Sequence, residues 1–428
     1  MTIRRLVTAA GIYAAAALGF AATVAAARIF PSTAVFGLYA IVMATTGFFQ
    51  TLLDLTVEEA AVKYGFRYET QQQWGKLRRL LEGTLAYKLI GGAFAAIALL
   101  VLAPFADSLF HAHNLAVPLA VGAAIPLTQA PEGLAGVALF LRGRYDVRAV
   151  FLTLSMALRL AAVWIGASHG LTTTIVLIVV AQVISTAAIG IAGWLAFRRF
   201  PRVPSEPLGK DRKDIFRFVW QSSAGTGVVS LRTTLTLPLL GAVTSPAQAG
   251  LFRVAQAPQT GMATLSAPAR MILVTEQTRD WERGSRQAVI RGVRRYTLGA
   301  AALMVVVVPL LWWLMPDLVR WIYKPRNLGA VDAARLILIA SAVQFLVGWS
   351  KSIPIAVGRP KLRIWTHGIE TLVLLPLVGA LGYEWGATGA GAGVLVSSVV
   401  FALTWAVLFV RIARDESVSI KPEPAVQP

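Results

Sequence analysis

Twelve apolar runs, each about 20 residues long, dominate this sequence of 428 residues. A helix of about 20 residues crosses the hydrocarbon core of a bilayer. The runs lie at roughly 6–28, 34–57, 80–103, 115–140, 149–167, 172–197, 215–240, 249–272, 294–316, 331–350, 362–382 and 387–410. In lipid every backbone amide must be satisfied internally, which leaves helices or closed barrels, and runs this long are helices. The prediction is an all-α integral membrane protein of twelve transmembrane helices. Only 14% of the residues are charged and 56% are hydrophobic, too little polar surface for a water-soluble chain of this length. Arg4, Arg5 and the run to Ala27 resemble a cleaved leader, but the run is long enough to span and more spans follow. It reads as the first retained helix.

The formal charge of +19 does not point to nucleic acid, because the basic residues lie mainly between the apolar runs. Alternate connections carry them: Arg4 and Arg5, then Lys63 to Arg79, Arg142 to Arg148, Arg198 to Lys213, Arg279 to Arg295, and Arg359 to Arg363. The connections between them are nearly free of Lys and Arg, with Arg320–Arg326 as the exception. The positive-inside rule then places both termini in the cytoplasm. The expected location is the bacterial cytoplasmic (inner) membrane.

The two halves repeat. Ser32–Tyr39 reads S-T-A-V-F-G-L-Y and Ser245–Phe252 reads S-P-A-Q-A-G-L-F, an offset of 245 − 32 = 213. Gly143–Arg148 and Gly358–Arg363 share G-R-x-x-(V/L)-R at an offset of 358 − 143 = 215. A charged connector recurs at Glu58–Leu80 and Thr275–Arg295. Six spans per half is an even number, so both halves point the same way, as two parallel six-helix lobes. The expected division is an N-terminal lobe at 1–200, a Pro-rich charged cytoplasmic linker at 201–214, a C-terminal lobe at 215–414 and a disordered cytoplasmic tail at 415–428.

Ionisable groups at membrane depth are costly unless paired or wet. Here they are Arg28, Asp54, Lys88, Glu132, Arg159, Arg232, Arg253 and Glu370. Cations outnumber anions, which points to an anionic cargo. In the seventh span Gln221, Gly225, Val229, Arg232 and Thr236 share a face; in the eighth Arg253, Gln256, Thr260 and Thr264 do the same. Guanidinium binds phosphate oxygens in a bidentate way, so such stripes suit a diphosphate. The substrate-binding set is therefore Arg28, Arg159, Arg232, Arg253 and Gln256. Arg28 and Arg253 also suit snorkelling to headgroups, and Lys88 and Glu370 suit snorkelling or a structural pair near the inner face. Glu132, between Pro131 and the rest of span four, is the one residue assigned to ion coupling, as a secondary reading. Trp194, Trp220, Trp312, Trp313, Trp321, Trp349 and Trp385 read as interface anchors. The Gly–Ala run at 386–393 reads as close helix packing.

With no cysteine and four histidines, a metal site and a thiol-based redox site are not expected, and no cofactor is implied. No G-x-S-x-G, phosphate-loop or H-E-x-x-H motif occurs, so the chain does not read as an enzyme.

The paired sixes, the F-G-L-Y and A-G-L-F hairpins, the G-R-x-x-(V/L)-R turns and the Gly-rich opening of the last span resemble one family. This is the polysaccharide-unit (Wzx-type) flippases of the multidrug/oligosaccharidyl-lipid/polysaccharide exporter (MATE/MOP-like) superfamily. The resemblance implies two lobes, a central cationic cavity and alternating access. It implies a polyprenyl-diphosphate-linked oligosaccharide as cargo, carried from the cytoplasmic to the outer leaflet for surface polysaccharide such as the O-antigen of lipopolysaccharide. Polysaccharide polymerase and glycosyltransferases would be its partners. A cation-coupled multidrug exporter of the same fold is the alternative, for which intramembrane carboxylates should dominate. A membrane polymerase or glycosyltransferase is a third, for which the long outer loop or acidic cytoplasmic domain is missing.

Overall fold

The structure is a computed structural model that describes residues 2–53, 57–283, 286–356 and 361–414. Among these residues the regular structure is helical throughout, and nine helices are long and apolar enough to cross a membrane. A bent pair, Asp211–Thr234 and Thr236–Val243, meeting at 44°, makes a tenth if counted as one span. The last of the nine, Lys361–Arg414, is two helices in one: Gly386 breaks it at φ 58°, ψ −136°. A methyl on Gly393 would lie 3.1 Å from the Val378 amide, so the two arms run back against each other. They are the predicted eleventh and twelfth spans. The predicted eighth span is broken instead of continuous: Pro246–Ala255 stops, Gln256 caps the next helix, and Ala257–Glu282 starts with Pro258 in its first turn. Proline is well tolerated there because that amide has no helical partner.

The chain divides into two compact units, Met1–Gly250 and Leu251–Pro428. In the first, α1 (Thr2–Ile29), α2 (Thr33–Leu53), α3 (Val57–Thr70), α4 (Trp74–Leu102), α5 (Ala116–Gly122), α6 (Ala124–Leu141), α7 (Tyr145–Gly166) and α8 (Leu171–Phe197) form the bundle. Helices α9 (Asp211–Thr234) and α10 (Thr236–Val243) pack on α2. The longest contact is α1 against α7, where a methyl on Gly11 would sit 2.9 Å from the Ala149 side chain. The Thr153 hydroxyl donates across this seam to the Gly11 carbonyl at 2.9 Å.

The connector α3 is amphipathic: Val57, Ala60, Ala61, Tyr64, Gly65 and Tyr68 form its buried face at helical spacing. They pack with Leu77, Leu80, Leu81, Val137 and Leu141. The linker is strapped to the same elbow, with the Glu206 amide donating to the Gly75 carbonyl at 3.1 Å and Arg78 Nη1 to the Val203 carbonyl at 3.1 Å. Burial, and then a 3.0 Å hydrogen bond to Asp211, push the Tyr68 phenol well above its usual pKa.

In the second unit α14 (Val331–Leu346) packs on α12 (Ala257–Glu282), α13 (Arg286–Tyr323) and α15 (Lys361–Arg414), once α11 (Pro246–Ala255) has led in from the first. Its core includes Trp349, Ile353, Phe401 and Trp405. Trp349 is only 4% exposed and meets Trp405 edge-on at 6.0 Å, so it is a core residue and not the interface anchor its position suggested. Trp194, Trp220, Trp313, Trp321 and Trp385 are exposed.

Both copies of the S-x-A hairpin start a helix the same way. Ser32 Oγ accepts from the Val35 amide at 3.2 Å, and Ser245 Oγ from the Gln248 amide at 3.5 Å. Each hydroxyl satisfies one of the amides that a helix start leaves open.

Candidate functional site

Three helices of the first unit send charge into its interior. Lys88 Nζ of α4 lies 2.6 Å from Glu58 Oε1 at the start of α3, and Arg148 Nη2 in the first turn of α7 lies 3.7 Å from Glu58 Oε2. The Lys88 side chain is 6% exposed. An ammonium that deep is tolerable only with a counter-charge. Space for the cluster comes from α6, where Gly133 and Gly136 stand where any side chain would strike Glu58 and Arg148. The Arg148 guanidinium also lies over the Phe140 ring at 4.4 Å.

The G-R-x-x-(V/L)-R motif explains how Arg148 gets there. Gly143 ends α6 at φ 63°. Its amide donates to the Phe140 carbonyl at 2.8 Å and the Arg144 amide to the Leu139 carbonyl at 2.9 Å, a Schellman end that favours glycine. The turn starts α7 two residues later. The second copy, Gly358-Arg359-Pro360, lies outside the described residues.

Glu58, Lys88 and Arg148 face a cavity of about 100 Å³. Gln50, Gln129 and Glu132 line it too, and all three also line an adjoining cavity of about 170 Å³. Gln50 Nε2 donates to Gln129 Oε1 at 2.8 Å, and Gln182 Nε2 donates to Glu132 Oε2 at 3.0 Å and to Thr186 Oγ1 at 3.0 Å. The adjoining cavity is completed by Thr46, Ser155, Met156, Arg159 and Gln182. Ser155 and Arg159 are four apart on α7, hence on one face. Among the described residues Arg159 makes no ion pair or hydrogen bond, and the buried Thr46 hydroxyl has no partner.

The second unit has its own polar network. Glu370 is fully buried; His367 Nδ1 lies 3.0 Å from its Oε2, and Gln344 Nε2 donates to its Oε1 at 3.3 Å and to Ser398 Oγ at 2.9 Å. His367 stacks on Phe401 at 5.1 Å.

The sequence-predicted site residues therefore fall into separate places. Glu132 and Arg159 share one cavity. Lys88 is a structural partner of Glu58. Arg28 is exposed at the end of α1 and Arg232 is half-buried in the last turn of α9, and neither lines these two cavities. In the second unit Arg253 Nη1 donates to Gln256 Oε1 at 3.1 Å. The predicted stripe continues from Gln256, with Thr260 Oγ1 donating to its carbonyl at 3.3 Å and Thr264 Oγ1 to the Thr260 carbonyl at 3.0 Å. Asp54 lies outside the described residues. Sequence reasoning missed Glu58 and Arg148 as interior groups. Their signal was present: an acidic residue in the first turn of the connector and the last Arg of a repeated motif. Among the described residues no group of three or more His, Asp or Glu is placed to hold a metal.

The fold is that of the transporters of the MOP superfamily. An inward-facing MATE-family multidrug resistance transporter of that superfamily superposes with TM-score 0.70 at 14% identity, over 94% of this chain and 96% of that one. The lipid II flippase MurJ, in an inward closed conformation, superposes with TM-score 0.73 at 12% identity, over 95% and 90%. A MOP superfamily transporter from Pyrococcus furiosus, described as having a binding pocket of reverse polarity, gives TM-score 0.57 at 14% identity over 96% of each chain. A search of curated protein sequences finds no match. The model of the polysaccharide biosynthesis protein family matches residues 5–272, and the chain belongs to that family.

Proposed function

We propose that this multi-pass membrane protein is a flippase that moves a polyprenyl-diphosphate-linked oligosaccharide from the cytoplasmic to the outer leaflet of the bacterial inner membrane. It acts as a transporter and not as an enzyme, with both termini cytoplasmic. The reading is carried by one conjunction: membership of a polysaccharide biosynthesis family on a transporter fold whose solved examples include a lipid II flippase. The charge inside the spans supports an anionic cargo over the cationic drugs of an exporter. Arg28, Arg159, Arg232, Arg253 and Gln256 are the residues assigned to the diphosphate, and Glu132 to ion coupling. Arg159 faces too small a cavity for a saccharide, since drug-sized sites already need about 300–1,000 Å³. Its contact with cargo therefore requires that cavity to open, and Arg232 and Arg253 carry the assignment first.

The test is Arg232→Glu in a strain that depends on this chain for surface polysaccharide. With normal membrane levels of the variant, surface polymer should be lost and lipid-linked units should accumulate inside. Unchanged surface polymer sinks the reading. Dye efflux that is abolished by Glu132→Gln would favour the exporter instead.

A further inference from the structure

We infer that the turn closing α13, Tyr323–Asn327, is a binding site for the phosphate of a lipid headgroup, with the Lys324 ammonium and the Arg326 guanidinium as its ligating charges. The inference rests on the proposed orientation only in calling this end the outer one, and it does not depend on the proposed cargo.

Sign is the first reason. Arg320–Arg326 is the connection that breaks the alternation of basic and nearly uncharged segments. It lies at the far end of α13 from the basic stretch that begins with Arg286. The 38 residues of α13 make a helix of about 57 Å, longer than the roughly 40–45 Å of a bilayer with its headgroups, so both ends can reach a headgroup layer. Trp321, beside the turn, is 83% exposed, as suits a side chain at headgroup level. Lysine and arginine at this end run against the charge bias that orients the rest of the chain.

Backbone is the second reason. Lys324 has φ 75° and ψ 156°, a region that is essentially glycine's alone. Pro325 disfavours the milder left-handed geometry in which many helices end. The turn is fixed on both sides. The Lys324 amide donates to the Arg320 carbonyl and the Lys324 carbonyl accepts from the Asn327 amide, each at 3.2 Å. The fully buried Asn327 side chain donates to the Tyr323 carbonyl. Glycine would adopt this turn without strain. A charge that merely anchored the helix end could stand at an unstrained neighbouring position. Lysine in a glycine geometry is accounted for when its ammonium is needed at this one place.

The neighbouring charges are the third reason. Lys324 and Arg326 flank Pro325, so their Cα atoms lie within about 7.6 Å of each other, and all three residues are exposed. A phosphate can accept from an ammonium and a guanidinium together. The carboxylates at this end are engaged elsewhere: Asp317 lies 3.5 Å from Arg320, and Asp332 lies 3.5 Å from Arg335. Glu384 is at the same end, because the fold-back of α15 at Gly386 sets Gly391 against Ala333. Among the described residues no carboxylate forms an ion pair with Lys324. Headgroup depth beside an exposed tryptophan favours a lipid phosphate over a soluble one.

The experiment uses the full-length protein in phosphatidylcholine nanodiscs that carry increasing phosphatidic acid. Acylation of lysine amines is followed by peptide mass spectrometry, with the exposed Lys210 of the linker as reference. Lys324 should be protected saturably, and beyond any change at Lys210. Arg326→Gln should raise the half-saturating fraction of phosphatidic acid about threefold, the size of one exposed ion pair. In phosphatidylcholine alone, Lys324→Gly should raise Tm by about 2–4 °C, because the backbone strain is gone. The same variant should lose part of the Tm rise that phosphatidic acid gives the wild type, and Lys324→Arg should keep it. The inference is overturned if Lys324 is protected no more than Lys210, if Arg326→Gln leaves the titration unchanged, or if Lys324→Gly answers phosphatidic acid as the wild type does. Equal protection by soluble pyrophosphate without phosphatidic acid overturns the lipid assignment. None of these results touches the flippase reading, which is scored by surface polymer.

Discussion

Gly37 and Gly250, 213 positions apart and equivalent in the two hairpin repeats, meet backbone to backbone. A methyl on Gly250 would lie 2.5 Å from the Thr33 carbonyl oxygen and 3.1 Å from the Gly37 amide nitrogen. A methyl on Gly37 would overlap the Pro246 carbonyl. The repeated motif is therefore self-complementary: each copy supplies the flat surface that the other needs. The two serines start their helices alike, so that the glycines arrive at matching depths.

Gly37→Ala or Gly250→Ala should destabilise the protein by about 1–3 kcal/mol, because backbone on the far side cannot give way as a side chain would. Gly47→Ala, where a methyl meets open space within 4 Å, is the control and should leave stability unchanged or slightly raised. Thermal unfolding of the detergent-purified variants checks both. Equal Tm values for all three would refute the contact.

Glu58→Gln should be among the more damaging single changes outside the apolar core. It removes the 2.6 Å ion pair to Lys88, whose side chain is 6% exposed, at a cost of about 3–5 kcal/mol. Adding Lys88→Met should recover most of that loss. Breaking the exposed Arg78–Glu82 pair by Glu82→Gln should cost only about 0.3–0.5 kcal/mol. The comparison is read as membrane expression and Tm across the four proteins.

Tyr68→Phe should cost about 1 kcal/mol through the lost 3.0 Å hydrogen bond to Asp211, and Asp211→Ala more, because Lys76 at 3.9 Å loses its partner too. The bond ties α3 to the start of α9. Hydrogen exchange should therefore quicken at the first turn of α9 in Tyr68→Phe, while α1 stays protected. Uniform quickening would mean global instability instead of a local tie.

Gly143→Ala should cost about 1–2 kcal/mol for placing a side chain at φ 63°. Open space surrounds the position, so sterics add nothing beyond the backbone term. Gly143→Asn should be milder, since asparagine tolerates that region. Melting of the three proteins separates a conformational cost from a packing one, which would penalise Asn more than Ala.

Much of this protein was legible in one dimension. The length of each apolar run sets a helix that spans, because lipid offers the backbone no other donor or acceptor. The twin motifs at offsets of 213 and 215 marked the chain as a repeat of two similar halves. The glycine in G-R-x-x-(V/L)-R could be read as a turn, and Glu58–Leu80 as a charged connector. What was legible less well was whether a hydrophobic run is continuous. The eighth span breaks at Gln256 and the last helix folds back at Gly386, since a run of apolar residues has the same hydropathy bent or straight.

The sequence by itself determined which residues must leave water and how many charges go with them. Transfer free energy depends on the side chain and hardly on its neighbours. It could not determine who neutralises whom. Lys88 suited snorkelling or a structural pair alike and is paired with Glu58; Arg159 looked no different from Arg232 and is the one that lines a cavity with Glu132. Those outcomes rest on separations of a few ångströms between helices far apart in the chain, and Coulomb energy at low dielectric turns on that separation. Only the packing of α2, α4, α6 and α7, with glycines opening the gaps, sets it.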